Sequence, residues 1–496
     1  MMDFDISTII HLLKLIAAVS IVYIAITILF PPWNFPKSIP TVPFYVSFLG
    51  SYTNMDQEDL YKRYLKDKLD RYGAVKIYFA SRWNILVTRP QLLGQVLKDE
   101  VTFAKSGNQK KIPYAVLSKY TGDNVISAHG EIWRLYRGLV QKGIQFPHNE
   151  CVAENCGKLV TLINHAMGDD EVKSLPVSDF LQRFSLANVS RAMLGCDFKI
   201  MEIEKPSELH SKLKFVKSQI FRPLYMNFPV LDKLPIPSRV KAAEEVEKFR
   251  RYFTEQVKKS QESINVDVDS ATYQLYTALK ESKITEKQFT DNAMIILIAG
   301  HENPQLFFTS ILYTLAKYPE IQSRLRDELP TVKNLEGSAL LNTFLFETLR
   351  LLPPLGQIIN RRTTRNVILG SDIYIPKGAY VGYNNFVTGR DSSSWGEDSE
   401  EFKPERWGST NDEVLQNYKR FKSTSQLSSF HGGRRACLGE RFALFESRMF
   451  VKCIVENFKV NLSAGWKDKL TPAGPICPFL LRCDFERITK NSAPKH

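Results

Sequence analysis

Cysteine is scarce in this chain, seven residues in 496, and no two stand in a CxxC pair. That excludes a disulfide framework and a paired-thiolate metal site, points to a reducing compartment, and leaves any single thiol free for chemistry. Glycine and proline number 25 each, too few for a collagen-like or low-complexity protein. No basic run is interleaved with stacking aromatics, so the pattern of a nucleic-acid binder is missing. Acidic residues are in deficit, 53 against 66 Lys and Arg, which leaves a net charge of +13. Such an excess calls for a surface facing membrane lipid or an acidic partner. Length alone suggests about three domains, but there is no internal repeat and no long linker to separate them.

Long apolar runs are almost absent too. The exception stretches from Ile9 to Phe30, with His11 and Lys14 as its only ionisable members. At about 1.5 Å per residue it crosses roughly 30 Å, the thickness of a bilayer's hydrocarbon core. It ends in Phe30-Pro31-Pro32-Trp33 instead of a small-residue cleavage site, so a retained single-pass anchor is expected over residues 1–30. Asp3 and Asp5 precede the span and Lys37, Lys62 and Arg63 follow it, which places the rest of the chain in the cytosol. Prolines 31, 32, 36, 40 and 43 predict a stiff hinge over 31–49. One catalytic domain over 50–496 follows.

The spacing in Asp56–Tyr72 predicts an amphipathic helix, and Gly73–Ala80 with Asn84–Thr88 predicts two short strands joined by a tight turn. Helical periodicity dominates afterwards, near 130–142, 239–262, 285–317, 319–329, 338–351 and 438–458. Strand-like material returns only around Val367–Leu369 and Tyr374–Gly378. Ser260–Ser270 is the expected mobile connection. The expected class is mainly α with small β-sheets, one large unit.

The most informative segment is Phe430-His-Gly-Gly-Arg-Arg-Ala-Cys437-Leu-Gly439. Its glycines let the backbone fold tightly around a thiolate and approach a large planar ligand. A helix beginning after Cys437 is expected to lower the thiol pKa through its dipole. Arg435 supplies a cation suited to a carboxylate. A structural Cys in a Gly-rich loop is the bland alternative, and the pattern FxxGxRxCxG argues against it.

This segment strongly resembles the haem-thiolate loop of the cytochrome P-450 family. Four more segments match that family in the right order: Glu347-Thr-Leu-Arg350, Phe402-Lys-Pro-Glu-Arg-Trp407, Trp133-Arg-Leu-Tyr-Arg137, and Arg361, seven residues after Pro354. The resemblance implies a single haem-binding domain on an N-terminal transmembrane helix and a haem b whose iron is held by Cys437. Phe430 would lie in the cofactor loop, while Arg435, Trp133, Arg137 and Arg361 (or Arg362) would serve the propionates. A thiolate ligand favours O–O cleavage. Glu347, Arg350 and Arg406 would form a buried network behind the haem. In the distal helix the family usually carries a threonine, and this chain reads Ala299-Gly300-His301-Glu302-Asn303-Pro304. Gly300 would give dioxygen room, and Glu302 matches the acid of the proton relay. Asn303 replaces the threonine, which an amide does not match as a proton relay. Pro304 deprives the Gly300 carbonyl of its helical partner, and His301 is expected to pack against a neighbouring helix.

Seven further stretches, among them Phe103–Tyr114, Ala299–Gln305 and Leu470–Pro475, resemble a fungal branch of the family that oxidises N-formyltyrosine to dityrosine for spore walls. That likeness implies coupling of two N-formyltyrosines to N,N′-bisformyl dityrosine. Lys110 or Lys111 would meet the substrate carboxylate, unless both merely lie on a solvated loop. Electrons would come from NADPH through a membrane-bound reductase docking near Lys419, Arg420, Lys422, Arg434 and Arg441. The endoplasmic reticulum membrane is the implied location. A monooxygenase hydroxylating a lipid or xenobiotic, a peroxide-consuming rearranging enzyme and a membrane-anchored haem sensor are the rival readings.

Overall fold

The structure is a computed structural model that describes residues 6–205, 207–264 and 266–488. The charges Asp3 and Asp5, invoked for membrane orientation, lie outside those residues. The first helix, Ile6–Leu29, is long and apolar enough over Ser7–Leu29 to cross a membrane, and none of that span is buried inside the protein. It meets the body where the Trp83 indole N–H donates to the Thr27 carbonyl at 3.1 Å. The proline-rich stretch after it docks on the first sheet: Val42 N–H donates to the Lys76 carbonyl, and Lys76 N–H to Pro40.

The expected helix over 56–72 forms, but with a π-helical turn at Tyr61–Leu65 between two α segments. The expected hairpin is Ala74–Phe79 with Arg82–Val87, and its turn residues Ala80 and Ser81 both take positive φ (49° and 62°). That two-residue geometry matches the right-handed strand twist. The hairpin belongs to a five-stranded sheet that continues with Tyr380–Asn384, Gln357–Thr363 and Phe103–Lys105. Those last three strands were not expected from the sequence. Two of them are almost wholly buried, and Gln357–Thr363 carries consecutive arginines, so none of the three shows a simple alternation of apolar and polar residues.

Helices make the rest of the body. The longest, Glu286–Lys317, begins at a capping box of Thr285 and Gln288 and runs unbroken through Pro304. Its principal neighbour is Ser178–Ala192, a helix so thoroughly buried that its apolar and polar positions show no clear period. The partner helices Glu131–Gln145, Glu208–Ile220, Ala339–Leu351 and Glu440–Asn457 complete the frame around the site.

Behind that frame lies the Glu347 network. Glu347 and Arg350, one helical turn apart and both fully buried, pair through Nη2–Oε1 at 2.7 Å and Nε–Oε2 at 2.8 Å. Arg406 Nε (2.8 Å), the Trp407 indole N–H (3.0 Å) and the Lys403 backbone N–H (2.8 Å) donate to the same carboxylate. Five donors on one carboxylate satisfy a charge that burial would otherwise make very costly.

Candidate functional site

The loop Phe430–Gly439 is shaped by two left-handed residues, His431 (φ 63°) and Gly433 (φ 62°). A side chain at Gly433 would sit 2.7 Å from the Leu97 carbonyl oxygen, so glycine is required there. The Cys437 N–H donates to the Phe430 carbonyl at 2.9 Å, which pins the two ends of the loop together. The following helix starts at Glu440 with Gly439 as its cap. Backbone N–H groups of Gly439 and Glu440 reach the Cys437 sulfur, as the dipole argument requires. They do not win, however. Burial outweighs them and pushes the thiol up to about 11, contrary to the expectation of a lowered value.

Cys437 nevertheless has free surface, and that surface belongs to an internal cavity. Trp133, Arg137, Phe430 and Arg435 line the cavity with it, as do Ala299, Gly300, Asn303 and Pro304 from the long helix. The Arg435 guanidinium lies 3.8 Å from the centre of the Trp133 ring, and Arg137 lies 5.6 Å from it on the same helix. Arg435 Nε pairs with Glu100, but Nη1 and Nη2 are buried with no acceptor. Arg361 is fully buried, donates Nη1 to the Phe103 carbonyl at 3.2 Å and leaves Nε unpartnered. It stands behind the cavity wall instead of in it, whereas the alternative, Arg362, is exposed.

Sequence reasoning missed a third basic residue on that wall, beside Arg137 and Arg435. Lys105 is buried, and desolvation together with Arg361 and Arg435 holds its ammonium well below the usual lysine range. Lys105, Arg137, Arg361 and Arg435 thus gather beside one carboxylate, Glu100. That surplus of positive charge, the unpartnered guanidinium N–H groups and a thiol inside the cavity fit a haem with two propionates. Among the described residues there is no cluster of three or more His, Cys, Asp and Glu, and a haem iron held through a single protein thiolate needs none.

One expectation for the distal helix needs correction. Glu302 does not face the cavity; it turns to the Glu208–Ile220 helix and pairs with Lys217 at 3.0 Å. Its partner is 85 positions earlier in the chain, beyond the reach of any local pattern. Gly300 does line the cavity, while the Cβ it lacks would point to the neighbouring helix, 2.3 Å from Val189 Cγ2. Glycine at 300 lets two helices approach closely. Gly300→Ala should therefore destabilise the protein by about 1–3 kcal/mol, with Val189→Ala restoring the loss in a double-mutant thermal melt. His301 behaves as expected, buried with Nδ1 2.6 Å from the Leu297 carbonyl, while its own carbonyl accepts from Ser185 Oγ at 2.8 Å.

A second missed residue is Glu446, which lines the cavity while fully buried. Its Oε2 accepts from Asn188 Nδ2 at 3.1 Å and its Oε1 has no partner. Burial raises its carboxyl well above the ordinary range. The signal was present: Phe442, Glu446 and Phe450 share one helical face, an acid interrupting an apolar stripe.

On the outer side of the loop, Lys419, Arg420, Arg434 and Arg441 are exposed. Lys422 is already paired with Glu440, which removes it from the set available to an acidic partner.

Comparison with known proteins agrees with this geometry. A family model described as Cytochrome P450 matches residues 40–481. The chain is 48% identical to Cytochrome P450-DIT2 of Saccharomyces cerevisiae, over 96% of this chain and 98% of that protein. It is 34% identical to Cytochrome P450 monooxygenase xanG of Aspergillus fumigatus, over 89% and 85% of the two chains. The crystal structure of a cytochrome P450DA mutant heme domain superposes with a TM-score of 0.74 at 17% identity, covering 91% of this chain and 98% of that one.

Proposed function

Because the chain belongs to the cytochrome P450 family, we propose that this haem-thiolate enzyme oxidatively couples two N-formyltyrosines to N,N′-bisformyl dityrosine. The observation that carries this reading is the 48% identity with the yeast protein along nearly the whole of both chains, joined to the segments that resemble the fungal N-formyltyrosine-oxidising branch. The reaction balances as two aromatic C–H bonds lost and one C–C bond gained. O2 and NADPH with one proton leave as two waters and NADP⁺.

A haem b bound through its iron to Cys437 supplies the one-electron oxidising chemistry. The protein's own residues do the holding. Arg435, stacked on Trp133, Arg137, on the same helix as Trp133, and Lys105, with Arg361 behind it, would present N–H donors to the propionates. Asn303, in the threonine position, offers an amide donor and acceptor on the distal wall. Glu302 is held away from that wall by Lys217.

Residues 1–30 serve as a membrane anchor, 31–49 as its hinge and 50–496 as the catalytic domain, facing the cytosol from the endoplasmic reticulum. A reductase with an acidic surface docks on Lys419, Arg420, Arg434 and Arg441 and passes electrons from NADPH. Turnover should then fall with rising ionic strength. The reading is tested by giving membranes that hold this protein and a reductase N-formyltyrosine and NADPH, then analysing products by mass and fluorescence. Bisformyl dityrosine formed only with NADPH is the expected product. A hydroxylated monomer as the sole product overturns coupling in favour of monooxygenation, and product from peroxide alone overturns the reductase requirement.

A further inference from the structure

A second cavity of about 500 Å³ adjoins the one at Cys437, and the two share Leu355, Ile358 and Asn360 as a common wall. Its size falls within the roughly 300–1,000 Å³ of small-molecule sites. A haem takes up space in the first cavity, so the second is where a substrate's remaining bulk can lie. Its lining is mostly apolar, with one anomaly: Lys111 is buried in it.

Lys111 has few partners for a buried ammonium. Its Nζ makes one long hydrogen bond, 3.4 Å to the Ile359 carbonyl, and otherwise lies against the Phe79 and Tyr380 rings at 5.5 and 5.3 Å. Two of its three N–H donors therefore lack an acceptor. Among the described residues no carboxylate offsets it. The acid lining the same cavity, Asp232, is closed in an ion pair with Arg239 at 2.6 Å and also accepts from Val116 N–H. The charge that bears on it is Arg82, whose guanidinium is stacked on Tyr380 and donates to the Lys111 carbonyl. Burial and Arg82 together depress the Lys111 ammonium to about 7. An anion in the cavity would relieve both.

One residue on from Ile359 stands Asn360. In the pairing of Gln357–Thr363 with Tyr380–Asn384 the register steps from Ile359↔Gly382 to Arg361↔Val381, so Asn360 is the bulged residue. A bulge re-aims a side chain out of the sheet's alternation. Here the side chain lines both cavities, and its Oδ1 is buried without a hydrogen bond. An unsatisfied buried acceptor is costly unless a ligand pairs with it.

We propose that Lys111 and Asn360 form a recognition pair for an N-acyl aromatic amino acid, with Lys111 holding its carboxylate and Asn360 accepting its amide N–H. The aromatic ring then points along the shared wall toward Cys437. The choice of N-formyltyrosine as the probe rests on the reading given under Proposed function. The pairing itself rests on two under-partnered groups set beside each other by a bulge.

The test is a set of haem difference-spectrum titrations on the holoenzyme with three probes. N-formyltyrosine carries both groups, N-formyltyramine lacks the carboxylate, and 3-(4-hydroxyphenyl)propanoate lacks the amide. Wild type should bind N-formyltyrosine at least about 10-fold more tightly than either truncated probe. Lys111→Met should erase the advantage over N-formyltyramine while leaving N-formyltyramine binding unchanged, and Asn360→Leu should erase the advantage over the propanoate. Equal binding of all three probes by wild type overturns the assignment without any variant. So does a carboxylate preference that survives in a Lys111→Met enzyme with a normal thiolate spectrum. If N-formyltyrosine is bound with the expected preferences but never coupled, the recognition pair stands and the coupling reading falls. If wild type binds none of the probes, both fall.

Discussion

Cys437→Ser is expected to give a folded protein that has lost its thiolate spectrum in the reduced carbon monoxide complex, most of its haem and all NADPH-dependent turnover. The fold should survive because the side chain is not part of the packing. Its surface opens into the cavity, and what fixes the loop is backbone: Cys437 N–H on the Phe430 carbonyl, and the positive φ of His431 and Gly433. A hydroxyl keeps all of those. It does not keep the ligand, since an alcohol is a far weaker acid than a thiol and gives iron no soft anionic donor. Among the described residues Cys437 is also the only cysteine on the cavity wall, and every other cysteine but the half-buried Cys151 is buried elsewhere. No neighbouring thiol can substitute. Circular dichroism reads the fold and the carbon monoxide difference spectrum reads the ligand, so the two effects separate. An intact thiolate band in Cys437→Ser would falsify the assignment of the iron ligand.

What could be read from the sequence divides along the range of the interactions concerned. The long helix Glu286–Lys317 was legible because its start is written locally, in Thr285 and Gln288 three residues apart, and its body in an apolar period. The hairpin at Ala80-Ser81 was legible for the same reason. The strand Gln357–Thr363 was not: one neighbour, Phe103–Lys105, lies far away in the chain, the other, Tyr380–Asn384, follows only after the hairpin of Val367–Leu369 and Ile373–Ile375, and the strand's own arginines read as surface. In the site, Cys437, Trp133, Arg137, Phe430 and Arg435 could all be named from the resemblance of their segments to the family's motifs, and they do meet on one cavity wall. Glu302 was also named by position, yet the helix that captures it cannot be read from anything near residue 302. Lys105 escaped because a lysine after an apolar pair looks like an ordinary strand end. Burial, joined by the approach of Arg361 and Arg435 from other parts of the chain, is what holds its ammonium well below the usual lysine range, and nothing around residue 105 announces it. The bulge at Asn360 is a property of strand pairing, which no single strand displays.

Glu347→Gln should be the most damaging single change outside the iron ligand, and the geometry says why an isostere does not suffice. The carboxylate accepts five donors, three of them from the guanidinium groups of Arg350 and Arg406. An amide in its place removes the counter-charge and turns one acceptor into a donor facing other donors. Arg350, itself fully buried, is then a cation with only carbonyl partners: Gly389, Ser399 and Glu401. Breaking a buried pair by removing one partner costs about 3–5 kcal/mol, and in cells a loss of that size lowers the yield of folded haem protein several-fold or more. Arg350→Lys tests whether charge alone explains the effect. Lysine keeps the charge but offers three donors from one nitrogen, whereas Arg350 spreads five hydrogen bonds over three. The lysine variant should therefore lose nearly as much as Glu347→Gln, measured as denaturant midpoint and as the rate of haem loss. Near wild-type stability in Arg350→Lys would mean that the network acts as a simple ion pair, and that the fork joining the Ala339–Leu351 helix to the carbonyls at 389, 399 and 401 is dispensable.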